Sequence, residues 1–95
     1  MKPMDTHTAV ITVVGQDTIG IIAKVSAVLA ENLVNIKDIT QTIMEDVFTM
    51  IMFVDMTAAQ IDIKDLADKL DALGIEIGLS IRIQHAGLFN AMHRI

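Results

Sequence analysis

A chain of 95 residues with a formal net charge of −5 has room for one domain and one core, burying roughly two thirds of the surface that its unfolded form exposes. It holds no cysteine, which excludes disulfides, thiolate chemistry and zinc ribbons. Its acids are spread along the chain with no basic stripe to neutralise phosphates, so direct nucleic-acid binding is disfavoured.

The hydrophobic share is 53 %, built from aliphatic residues and seven methionines with three aromatics, Phe48, Phe53 and Phe89. That exceeds the usual apolar share and implies surface that faces a partner chain. Residues 1–7 carry the only proline and no hydrophobic period, and read as a loose N-terminal extension. They lack the apolar core of a signal peptide, and no run approaches the ~20 apolar residues of a membrane span. A soluble, cytoplasmic protein without membrane contact is expected.

Residues 8–14, T-A-V-I-T-V-V, form a continuous β-branched run, the pattern of an interior strand. Gly15 is expected to end it, with residues 16–20 as a loop. Asp17 or Thr18 can cap the helix that follows, and Gly20 lets the backbone approach a ligand or another chain. That helix is predicted over residues 19–33, with Ile22, Val25, Leu29 and Leu33 on one face, Lys24, Ala27 and Glu31 on the other, and Asn32 as a stop signal. Backbone N–H groups at such a helix start attract carboxylates without a charged side chain.

The second strand, residues 35–44, mixes polar and apolar positions as an edge strand does, and a change of phase between Ile36 and Ile39 predicts a bulge near Lys37 and Asp38. Glu45 and Asp46 make a tight connection. Residues 47–56 are apolar on both faces, with Phe48, Met50, Met52 and Val54 opposite Val47, Ile51 and Phe53, so an interior strand covered on its second face as well is expected. Asp62 is placed to cap a second helix with a buried stripe of Ile63, Leu66, Leu70 and Leu73, and Gly74 sits where a glycine after the helix end belongs. Residues 75–84 alternate, with Ile75, Ile77, Leu79, Ile81 and Ile83 inward. The tail, residues 86–95, places Leu88, Met92 and Ile95 on one side of a short helix, an amphipathic segment that needs a sheet face to lie on.

The predicted class is α+β: a ferredoxin-like βαββαβ sandwich, a four-stranded antiparallel sheet in the order 4-1-3-2 with two helices on one face, plus a short C-terminal helical tail. Chemistry is sparse. His7, His85 and His93 lack short ligand spacing and an acidic third partner, so no metal or cofactor is expected. No triad is present, and G-Q-D-T-I-G is too short for a P-loop and lacks its lysine. The chain therefore does not read as an enzyme. Asp17 could grip an ammonium group or only cap a helix, and Asn35 and Asp38 could bind an amino acid or only solvate an edge strand.

The stretch V-V-G-Q-D-T-I-G-I-I-A-K-V-S-A-V-L-A-E-N-L-V-N-I-K-D-I-T-Q, with G-x-D-x-x-G-I at Gly15, Asp17, Gly20 and Ile21 followed by N-I-x-D-I from Asn35, resembles an ACT domain, the amino-acid-sensing module of regulated metabolic enzymes. It is most similar to small free-standing ACT proteins and to the ACT modules of the glycine cleavage system regulator. The resemblance implies an ACT domain over residues 8–85. It also implies a side-by-side homodimer holding a small ligand, an amino acid, between the first loop of one chain and the start of strand 2 of the other. The ligand-facing residues would be Gln16, Asp17, Thr18, Ile19 and Gly20, opposite Asn35, Ile36 and Asp38. Many members carry proline where this chain has Ile19, so its loop is less pre-organised. The implied function is a regulatory protein that signals to an enzyme or a transcriptional regulator; the alternative is an unliganded interaction or dimerisation module.

Overall fold

In the computed structural model, which describes residues 7–87, the elements run β1 (Thr8–Gln16), α1 (Ile21–Glu31), β2 (Asn35–Met44), β3 (Val47–Asp55), α2 (Ile63–Ile77) and β4 (Leu79–His85). This is the expected ferredoxin-like βαββαβ order. The sheet runs β2-β3-β1-β4, which is 4-1-3-2 read from the other edge, and every pairing is antiparallel. The β-branched β1 is central, paired from Thr8↔Asp55 to Gln16↔Val47 with β3 and from Ala9↔His85 to Gly15↔Leu79 with β4. β2 is an exposed edge, and its register shifts between Ile36 and Asp38, where the change of hydrophobic phase predicts a bulge.

Both helices cover one sheet face. Ile11, Val13, Met50, Met52 and Val54 meet Val25 and Leu29 of α1 and Leu66 and Leu70 of α2 in one core cluster. Each such side chain, fully buried, is worth roughly 1.5–3 kcal/mol. On the other face Val10 is fully buried, Ile51 and Phe53 are half-buried and Val47 is exposed. The second face of β3 is thus only partly covered. The amphipathic tail with Leu88, Met92 and Ile95 lies outside the described residues, as does His93.

Several boundaries differ from expectation. Gly15 does not end β1: it pairs with Phe48 and Leu79 inside the strand, and a Cβ there would collide with the Leu79 side chain. α1 begins at Ile21 rather than Ile19, and its buried residues are Ile21, Val25 and Leu29. Ile22 and Leu33, expected on the buried face, are exposed. The buried row runs by fours, Ile21, Val25 and Leu29, and Ile22 stands about 100° round the helix from Ile21. Neither Asp17 nor Thr18 caps α1; Gly20 holds the cap position at φ 87° with no side-chain cap bond. At the far end Asn32 is the cap as expected, its Nδ2 donating to the Val28 carbonyl at 2.8 Å. Leu33 then turns left-handed at φ 58°, while Val34 N–H reaches Leu29 O at 2.9 Å and Leu33 N–H reaches Ala30 O at 3.1 Å. That is a Schellman closure built on leucine instead of glycine.

The largest correction is at α2. Asp62 does cap it, accepting from Asp65 N–H at 2.8 Å. The helix then runs through Gly74 to Ile77, and Gly78 at φ 76° ends it. Ile75 is consequently 78 % exposed, not an inward strand residue. The spacing Leu66, Leu70, Gly74 continues the helical stripe by fours, and the buried side of that turn needs glycine for packing: a Cβ on Gly74 would stand 2.5 Å from the Leu79 carbonyl oxygen. The two glycines therefore separate experimentally. Gly74→Ala should cost about 3 kcal/mol by overpacking against backbone. Gly78→Ala, with nothing within 4 Å of its Cβ position, should cost only about 1 kcal/mol of left-handed strain. Urea unfolding of the two variants measures both, and equal losses would contradict the packing role of Gly74.

Candidate functional site

The last residue of β1, Gln16, and the β1–α1 loop of Asp17, Thr18, Ile19 and Gly20 stand together at one end of the sheet. Its backbone is tied down: Asp17 N–H donates to the Asp46 carbonyl at 2.9 Å, joining the loop to the β2–β3 turn. Ile19 projects into solvent, 96 % exposed. The first hydrogen bond of α1 runs from Lys24 N–H to Gly20 O at 3.0 Å. The N–H groups of Ile21, Ile22 and Ala23 precede it and so have no intrahelical acceptor.

Two clefts flank this loop. One, of about 260 Å³, lies toward the β2 edge, between Asp17, Thr18 and Gly20 on the loop and Gln41, Ile43 and Phe48 on the sheet, with Ile21, Ile22 and Ala23 of α1 completing its lining. The other, of about 360 Å³, lies toward α2, against Gln16, Asp17, Thr18, Ile77 and Gly78. Gln41, Ile43 and Phe48 line the first cleft, and the sequence pattern alone does not single them out. The signal for them is the two-residue turn: it sets Met44 opposite Val47, hence Ile43 opposite Phe48 and Gln41 opposite Met50, on the helix-covered face.

The other candidates are elsewhere. Asn35 and Ile36 open β2 opposite Asp55 and Val54, and line a third cleft of about 540 Å³ with Ala23, Ala27 and Ala30 of α1. Asp38 is outside that lining; its Oδ1 accepts from Ile39 N–H at 2.9 Å. From the Thr8–Asp55–Asn35 end to the Gln16–Val47–Met44 end the sheet spans eight residue steps of β1, about 26 Å at ~3.3 Å per residue. One chain therefore does not bring Asp17 and Asn35 together. Among the described residues no group of three or more His, Asp or Glu side chains is arranged to hold a metal ion, and no helix is long and apolar enough to cross a membrane.

At the Asn35 end Asp55 is held below the usual carboxylate range. The Thr57 hydroxyl donates to it at 2.6 Å and the Thr57 N–H at 2.9 Å, against a smaller opposing effect of burial; the charges of Lys37 and His7 add to the lowering.

The described architecture and the chain agree with known proteins. The ACT domain profile matches residues 7–84, and the chain belongs to the ACT-domain family. A UPF0237 protein of Methanococcus maripaludis is 56 % identical over 86 residues, covering 90 % of this chain and 96 % of that one. The solved ACT domain protein from Streptococcus pneumoniae is 39 % identical with a TM-score of 0.78, covering 90 % of this chain and 96 % of its own. A structure assigned as a glycine cleavage system transcriptional repressor matches at 25 % identity and TM-score 0.71, over 83 % of this chain and 45 % of that one. ACT domains are in general regulatory, ligand-binding modules.

A pH test follows from Asp55. Because its folded value is depressed, the stability it contributes is present above the unfolded carboxylate value of about 3.9 and is lost as pH falls through the lowered folded value. Thr57→Val should move the Asp55 titration, followed by carboxyl NMR shifts, up toward the ordinary range. An unmoved titration would show that Thr57 is not the cause.

Proposed function

We propose that this protein is a small-molecule-binding regulator that works as a homodimer, with an amino acid held between the β1–α1 loop of one copy and the start of β2 of the other. The observation that carries this reading is the placement of the two half-sites at opposite ends of one sheet. A two-fold axis that pairs β2 antiparallel with β2 of a second copy brings the Asp17 end of each chain to the Asn35 end of its partner, and so completes two sites at once. Gln16, Thr18, Ile19, Gly20 and Ile36 contribute the remaining surface, with Asp38 next along the strand.

The edge itself supports the pairing. β2 offers an unblocked strand with Ile43 55 % and Met44 68 % exposed, and an exposed apolar edge is a template for another strand. On the α1 surface beside it, Ala23, Ala27 and Ala30 are small enough to let a second helix come close. Burial of this surface accounts for the 53 % hydrophobic share of the sequence. Within the site, the carboxylate of Asp17 suits the ligand ammonium, and the N–H groups opening α1 suit its carboxylate. Ligand binding across the dimer couples to its assembly and to the affinity for a third protein, an enzyme or a transcriptional regulator. The likeness to a protein assigned as a transcriptional repressor favours that kind of partner.

A thermal-shift screen against the twenty amino acids tests the reading. At 100 times Kd a ligand should add about 2.7 kcal/mol, a rise of several degrees in Tm for a domain of this size. Asp17→Ala and Asn35→Ala should each remove that response with the fold intact. Ile39→Lys, at the middle of β2, should give a folded monomer in sedimentation and lose the response too. A flat screen would favour the unliganded interaction module instead.

A further inference from the structure

Resting on the amino-acid site just described, we infer that its ligand is an amino acid with an uncharged aliphatic side chain, received in the cleft between the loop and β2. The cleft holds about 260 Å³, below the ≈ 300–1,000 Å³ of pockets that take drug-sized molecules. An amino acid fits a cleft of this size.

Its floor is apolar: Ile21 and Phe48 are each 3 % exposed, and Ile43 forms the rim on β2. Three polar side chains reach the lining, Asp17, Thr18 and Gln41, and Asp17 is the one that carries charge. Lys24 is outside that lining, its Cε 3.9 Å from the point where a Gly20 Cβ would stand. The Asp17 carboxylate and the N–H groups opening α1 match the two charges of a zwitterion and leave no charged group in the lining for its side chain.

An acidic side chain would lie on Ile21 and Phe48 with its charge desolvated and Asp17 beside it; a basic one would lose hydration on the same floor. Either arrangement is costly unless the buried charge finds a partner. The segment arriving from the second copy adds Asn35 and Ile36, followed by Lys37 and Asp38, whose charges offset each other. Gln41 and Ile43 thereby become the specificity residues: Ile43 gives the side chain an apolar wall, and Gln41 an uncharged one.

Calorimetry on the full chain separates the possibilities. Valine, leucine, isoleucine and methionine should bind at least tenfold more tightly than glutamate, aspartate, lysine or arginine. Ile43 is exposed in the single chain, so Ile43→Ala and Ile43→Arg should fold, as circular dichroism would show. Ile43→Ala should weaken the aliphatic ligands about tenfold, and Ile43→Arg should turn the preference toward glutamate. Tighter binding of a charged amino acid to the unmutated chain, or an aliphatic preference untouched by Ile43→Arg, overturns this inference and leaves the amino-acid site standing. No response to any of the twenty overturns both.

Discussion

Glu45 and Asp46 both sit at positive φ, 51° and 69°, the geometry of a type I′ turn whose twist matches the strands it joins. Neither residue is glycine, so the turn carries a conformational cost of about 1–2 kcal/mol per residue that the surrounding sheet must hold in place. Three features depend on it. It fixes Met44 opposite Val47 and with that the register of the whole hairpin. It sends Gln41 and Ile43, rather than Thr40 and Thr42, to the helix-covered face. Through the Asp46 carbonyl it also holds the Asp17 N–H, so the loop at the site and the end of the edge strand form one mechanical unit.

Much of the fold was legible because periodicity and chemistry agree there. The β-branched run before Gly15, the polar edge strand, the bulge at Lys37 and the Asp62 cap each have a local cause written in a few adjacent residues. The errors arose where two periods fit the same letters. I-E-I-G-L-S-I-R-I-Q alternates like a strand, yet Leu66, Leu70 and Gly74 also continue a helix by fours, and α2 takes the first three of its residues. The missing side chain at Gly74 lets the helix pack against the Leu79 carbonyl, and Gly78 in the left-handed conformation ends it; the first of these is a tertiary contact. The start of α1 was misplaced for a similar reason: capping chemistry is present at Asp17 and Thr18, but the Asp17 backbone is bound to the β2–β3 turn and the helix waits for Gly20.

The candidate site was half legible. The loop residues stand at one end of the sheet, and Asn35 with Ile36 lines a separate cleft against α1. What a linear reading of one chain does not contain is the second copy, which the proposed site requires. Gln41, Ile43 and Phe48 were missed because none belongs to a motif; their place follows from the turn and the register. The division of labour this suggests is between a rigid frame, β1 and β3 with their aliphatic core, and an edge left open for assembly. An exposed edge strand is a liability in a monomer, and in the proposed dimer it would complete two ligand sites.

The absence of cysteine makes the central claim directly measurable. Chains carrying Asp17→Cys are mixed with chains carrying Asn35→Cys, allowed to exchange, and treated with a short bifunctional maleimide. Antiparallel pairing of β2 brings the two thiols to the same end of the dimer, so the mixture should give a covalent dimer in high yield while each variant alone gives little. Equal cross-linking in the single-variant samples, or none in the mixture, would contradict a site shared between the loop of one copy and the β2 start of the other.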